Sequence, residues 1–161
     1  MKFTLIDKIT ECNGVDCIKA VKNLSMGEEY LADHFPGYPV MPGVMMLEAM
    51  IQTANWLIRI RNNFSASMIM LKEVRNVKYG KFIVPGDQLE LTINMKSMDE
   101  DSASFNGTGS INGEPAVTAR FELAFFNISD TEPLPESVDN ALAASARQAF
   151  SDLGGNAFYT A

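Results

Sequence analysis

The sequence predicts an α+β domain in which an antiparallel β-sheet wraps around one long buried helix, followed by a helical tail. Three observations lead there. Residues 42 to 62 are apolar nearly all round at helical spacing, which demands enclosure by protein on most sides. The flanking segments read as strands joined by the hairpin signals Asn13-Gly14 and Asn112-Gly113, and nothing alternates as strand, helix, parallel strand. The chain has 161 residues, 47% hydrophobic and 20% charged, which suits one globular domain with a sizeable core.

Taken in order, residues 3 to 11 and 17 to 24 are predicted strands around Asn13-Gly14. Residues 26 to 33 form a short helix if Ser25 caps it, with Glu28 three residues on as in a capping box. A rigid loop spans 35 to 41. The long helix then starts at Pro42, whose missing N–H suits a first helical position, and ends at Asn62-Asn63. Strands are predicted at 67 to 80, 87 to 98, 102 to 112 and 115 to 127. One helix cannot fill both sides of such a wrapped sheet, so a dimer is predicted. Residues 1 to 127 make the main domain. Residues 128 to 136 read as a linker, and 137 to 153 as an amphipathic helix within a tail that runs to 161.

Composition excludes several functions. A formal net charge of -7 opposes nucleic-acid binding, which needs a basic footprint. Glu48, Gln52, Asn55 and Arg59 interrupt the long apolar segment, so it is predicted not to span a membrane. The N-terminus lacks the apolar core of a signal peptide, which predicts a cytoplasmic protein. Cys12 and Cys17 are then predicted to be free thiols. With two cysteines and one histidine, no metal site is expected.

The chemistry concentrates in D-H-F-P-G-Y-P-V-M-P-G-V-M-M-L-E-A-M-I-Q, residues 33 to 52. Glu48, Gln52, Asn55 and Arg59 share one helical face. A polar stripe on a buried helix must meet a partner, water or a ligand, so it marks either a subunit seam or a site. His34, the only histidine, precedes a loop in which Pro36, Pro39 and Pro42 each restrict φ and can hold an imidazole in one position. Gly43 lies at the first turn of the helix, where its N–H has no intrahelical acceptor and can polarise a carbonyl oxygen. A base, a proton-donating acid and a carbonyl-binding N–H are what β-elimination from a thioester requires. An apolar setting favours the neutral, donating form of a carboxyl such as Glu48.

This stretch resembles the signature of the FabZ-type β-hydroxyacyl-[acyl-carrier-protein] dehydratases, which have the hot-dog fold. Histidine and glutamate stand fourteen residues apart with P-G-x-P-V-x-P-G between them, and V-P-G-D-Q-L at 84 to 89 is a second match. The resemblance implies that His34 is the base at the α-carbon, its other nitrogen held by the Val40 carbonyl. It implies that Glu48 is the acid at the β-hydroxyl, supplied by the other subunit of a homodimer. Gly43 N–H would bind the thioester oxygen, and Gln52 would orient Glu48 or a water. The related FabA-type dehydratase-isomerases usually carry aspartate where this chain has Glu48, which implies dehydration without isomerisation. No cofactor is implied beyond the phosphopantetheine arm of an acyl carrier protein, and trimers of dimers are common in the family. The chain departs from the family pattern at Ile51 and Asn55, where alanine and glycine are usual, and in its tail.

The segment from Arg59 to Lys81 is basic in an otherwise acidic chain. By itself this is an ordinary solvated face or a partner for the acidic tail; the resemblance implies that Arg59, Arg61, Lys78 and Lys81 dock an acidic carrier protein. Two rivals remain beside the dehydratase: a hot-dog thioesterase, which does not need the histidine loop, and a non-catalytic carrier-binding subunit.

Overall fold

The computed structural model describes residues 3–35 and 37–159. Six strands, β1 (Lys8–Cys12), β2 (Cys17–Asn23), β3 (Met68–Tyr79), β4 (Gln88–Met98), β5 (Ser102–Ile111) and β6 (Glu114–Phe126), form one sheet in the order β1-β2-β4-β5-β6-β3. Every pairing is antiparallel. Helix α1 (Tyr30–Asp33) is one turn long, α2 (Gly43–Arg61) is the central helix, and α3 (Glu136–Asp152) lies in the tail. This is the predicted hot-dog architecture with its added C-terminal helix.

Helix α2 buries Met46, Ala49, Met50, Thr53, Ala54, Leu57, Ile58 and Ile60. On the facing sheet, a Cβ at Gly107 would lie 2.7 Å from Met50 Sδ, so a larger residue there would displace the Met50 side chain. Pro42 stands just before the first helical residue rather than at it, and its carbonyl accepts the Met45 N–H at 2.9 Å. The helix ends where expected: Asn62 is the C-cap, and Asn63 and Phe64 take φ of 51° and 58°.

The N-terminal elements differ from expectation in two places. The first strand begins at Lys8, not at residue 3. Leu5 instead gives its N–H to the Gln52 side chain at 2.9 Å, a tertiary bond that replaces sheet pairing. The Ser25–Glu28 capping box does not form. Ser25 Oγ accepts from the Gly27 N–H, and Glu28 pairs with buried Lys22 Nζ at 2.7 Å. Burial pulls the Lys22 ammonium pKa down, but the bonds to Glu28 and Asp7 outweigh it and leave the group above its usual range. This ion pair ties the segment leading to His34 onto β2.

The tail packs on its own subunit. Phe150, 2% exposed, sits 5.7 Å from both the Trp56 and Phe64 rings. The Arg147 guanidinium lies 4.5 Å above Phe64. At the start of α3, Asp139 Oδ1 accepts the Ile128 N–H at 2.9 Å; at its end, the Leu153 carbonyl accepts the Ile9 N–H at 2.9 Å.

Helix α2 is not enclosed on all sides within one chain. Val44 is 67% exposed, and Phe35, Tyr38, Tyr79 and Phe82 are exposed with it. Strand β3 is a sheet edge that also exposes Met70 and Leu71. A bare edge next to an exposed apolar patch calls for a protein partner. No helix among the described residues is long and apolar enough to cross a membrane, and both cysteines are free.

Candidate active site

His34 is the C-cap of α1, in extended backbone with φ -103° and ψ 110°. Its half-buried ring lies 4.4 Å from the Phe35 ring, and Phe35 itself is held at φ 51°, a strained value for a bulky residue. The chain then returns to the core at Val40 and Met41, where Met41 N–H bonds the Ile83 carbonyl at 2.9 Å. Pro42 turns it into α2. The result is a cavity of about 500 Å³ whose lining includes His34, Val40, Gly43, Tyr79 and Lys81.

Gly43 opens α2 towards this cavity. Its N–H is donated to no described residue, as the first turn of a helix requires unless a cap or ligand accepts it. A Cβ at Gly43 would come within 2.9 Å of the Tyr79 ring, so glycine is needed for the ring to lie over the helix terminus. Tyr79 reaches that position after the β3–β6 register shifts between Arg75 and Lys78, where Asn76 adopts φ 54°. Such bulges bend an edge strand and re-aim its side chains. The V-P-G-D segment forms a turn after Phe82: Val84 N–H bonds Asp87 Oδ2 at 3.0 Å, and Gly86 takes φ 101° and gives its N–H to the Leu24 carbonyl.

Glu48 and Gln52 occupy a different part of α2. Both are half-buried. Gln52 Nε2 donates to Glu48 Oε1 at 3.1 Å and to the Phe3 carbonyl at 2.9 Å, while its Oε1 accepts from Leu5. Glu48 does not line the His34 cavity of its own chain.

Two expectations need correction. No hydrogen bond joins His34 to the Val40 carbonyl; the two line the same cavity, but the imidazole rests on Phe35 instead. Arg59 does not offer its charge to solvent. It is half-buried and its guanidinium is engaged by Asn55 and by the backbone of Ala66 and Ser67. Of the other basic residues, Arg61 is exposed with Nη1 on the Val15 carbonyl, Lys78 is exposed on β3, and Lys81 pairs with Glu114 at 2.9 Å beside the cavity. Tyr79 and the residues that hold Gln52 escaped sequence reading, since each depends on a tertiary contact with no local signature.

The pattern of the FabA-like domain matches residues 1–120. The chain belongs to the FabA-like family. Within it, the 3-hydroxyacyl-[acyl-carrier-protein] dehydratase FabZ of Wolbachia pipientis wMel is 30% identical over 125 residues, covering 78% of this chain and 87% of that protein. The FabZ of Acinetobacter baumannii is 35% identical over 125 residues, covering 76% and 85%. Among solved structures, the dehydratase heterocomplex ApeI:P from Xenorhabdus doucetiae superposes with a TM-score of 0.65 at 21% identity, covering 78% of this chain and 85% of that one. A hypothetical thioesterase with coenzyme A from Streptococcus pneumoniae TIGR4 gives 0.59 at 10% identity, covering 74% and 88%, which marks a shared hot-dog fold. The FabA-like match stops inside β6, so the linker and α3 lie beyond it.

Proposed function

We propose that this protein is a hydro-lyase that converts a (3R)-hydroxyacyl group on acyl carrier protein to the trans-2-enoyl thioester, in fatty-acid or related lipid biosynthesis. The observation that carries the reading is the cavity shared by His34, Val40 and the Gly43 end of α2, in a chain with FabZ relatives of similar length.

The roles follow from what each group can do. The thioester oxygen binds the Gly43 N–H, aided by the positive end of the helix dipole. This stabilises the enolate as neutral His34 takes the proton from C2. The electron pair forms the C2–C3 double bond, and the C3–O bond breaks as Glu48 gives a proton, releasing water. Val40 lies on the wall of the same cavity, beside the bound substrate. Gln52 holds Glu48 by the bond already described. No metal or organic cofactor enters; the substrate brings its phosphopantetheine arm.

Glu48 comes from the second subunit of a homodimer in this reading. Its separation from the His34 cavity of its own chain supports this, as do the open β3 edge and the apolar patch from Phe35 to Phe82. Arg61, Lys78 and Lys81 are the cations available to an acidic carrier protein, and the location is cytoplasmic.

Incubation with a 3-hydroxyacyl carrier protein, following enoyl thioester and free acid together, tests the reading. Enoyl product is expected, falling roughly 10²- to 10⁴-fold in His34→Ala and in Glu48→Gln. Free acid as the product indicates a thioesterase, and carrier binding without turnover indicates a non-catalytic subunit.

A further inference from the structure

Helices α2 and α3 flank a second, open cavity of about 470 Å³, distinct from the one that holds His34. Its lining includes Gln52, Asn55, Trp56 and Arg59 from α2, roofed by Leu142 and Ala146 of α3. The Arg59 side chain donates from Nε to Asn55 Oδ1 at 2.9 Å, from Nη1 to the Ala66 carbonyl at 3.1 Å, and from Nη2 to the Ser67 carbonyl at 3.4 Å. All three acceptors are neutral, and Arg59 forms no ion pair among the described residues. The one carboxylate of the lining, Asp152, is exposed and accepts from Gln148. A guanidinium has five N–H donors, so two remain for a ligand. A half-buried charge without a counter-ion is costly unless something anionic joins it.

Gln52 links this cavity to the proposed reaction centre, because it lines the cavity and donates to Glu48 at 3.1 Å. Offsets of four, seven and eleven residues from Glu48 keep Gln52, Asn55 and Arg59 on one helical face, over about 16 Å of helix. On this face Gln52 stands between Glu48 and Arg59, and it shares the cavity lining with Arg59.

We propose that the α2–α3 cavity receives the distal end of the acyl chain, and that Arg59, with Asn55, selects chains ending in a carboxylate. The proposal rests on the dehydratase reading for its substrate but on the cavity for its site. It assigns α3 a role as the roof of a specificity pocket. Asn55, which replaces the small residue usual at this place in the family, becomes the clamp on the guanidinium.

Two measurements test it. The first compares kcat/KM for 3-hydroxyacyl carrier proteins of equal chain length ending in methyl or carboxylate. The wild-type protein should favour the carboxylate by about tenfold or more, and the ratio should fall towards one in Arg59→Met, which keeps most of the side-chain stem. If Arg59 is only a clip on residues 66 and 67, Arg59→Met lowers the melting temperature and leaves the ratio unmoved, and the proposal fails. The second titrates the wild-type protein with decanoate and with decanol, reading fluorescence of Trp56, the only tryptophan. Decanoate should bind about tenfold tighter; equal affinities, or no saturable change, overturn the site. Decanoate binding without enoyl formation would retain the site and remove the dehydratase reading. Dehydration with no preference between chain ends would do the reverse.

Discussion

Gln52 donates from Nε2 to Glu48 Oε1 at 3.1 Å while its Oε1 accepts the Leu5 N–H at 2.9 Å, so one amide ties the proposed acid to the N-terminal segment. Gln52→Leu removes both bonds and the third, from Nε2 to the Phe3 carbonyl. Leaving the Leu5 N–H unpaired costs about 1–3 kcal/mol, and loss of the Glu48 orientation should lower kcat about tenfold, with a smaller change in KM. Gln52→Glu restores an acceptor for Leu5 but sets a second carboxylate beside Glu48. It also faces the Phe3 carbonyl with an oxygen in place of a donor, so kcat should stay low; recovery of kcat would mean that Gln52 does not position the acid.

Tyr79 lies over Gly43, and a Cβ there would meet the ring at 2.9 Å. Because the ring is the end of a flexible side chain, Gly43→Ala should keep the fold within about 1 kcal/mol. Displacing the ring towards the cavity should nevertheless lower kcat/KM about tenfold. Adding Tyr79→Ala should relieve part of the loss, a coupling that independent sites do not show. Steady-state kinetics on the two single variants and the double variant measures it.

Phe150 anchors α3 between Trp56 and Phe64 at 2% exposure. Phe150→Ala should cost about 3–5 kcal/mol, the range for removing a buried aromatic ring. A loss below about 1 kcal/mol in chemical denaturation would show that the tail is not part of the cooperative unit.

Asp139 gives the same joint a pH dependence. The Ser129 and Ser67 hydroxyls beside it, with the Ile128 N–H that bonds Oδ1 at 2.9 Å, hold its carboxyl below the usual 3.8. The folded pKa is depressed, so the contribution is complete above the unfolded value and is lost as pH falls through the folded one. Acid titration should therefore release α3 below pH 3.8, seen as a change in Trp56 fluorescence that is absent in Asp139→Asn.

Much of this was legible in the chain itself. The all-round apolar run from Val44 to Ile60 could only be a central helix, and Asn112-Gly113 marked a turn in which both residues take positive φ, 52° and 81°. The histidine loop and Gly43, singled out in the sequence, line one cavity in the structure. What was hidden depends on contacts far apart in sequence. The extended 3–7 segment reads as strand, yet Gln52 claims its backbone. Glu28 reads as a cap, yet buried Lys22 offers it a charge. Arg59 reads as a surface cation because its neighbours are basic, and only the packing of α3 and the 66–67 backbone takes it inside. Sheet order, with β3 beside β6 at the edge, likewise follows from closure around α2 rather than from any local signal.

In the proposed mechanism, His34 of one subunit and Glu48 of the other carry out one elimination. Mixing His34→Ala chains with Glu48→Gln chains, with subunit exchange, tests it through enoyl thioester formation. A mixed dimer contains one site with both groups intact, so activity should return in the mixture although each parent is nearly inactive. A mixture as inactive as its parents, with mixed dimers present, would contradict the account.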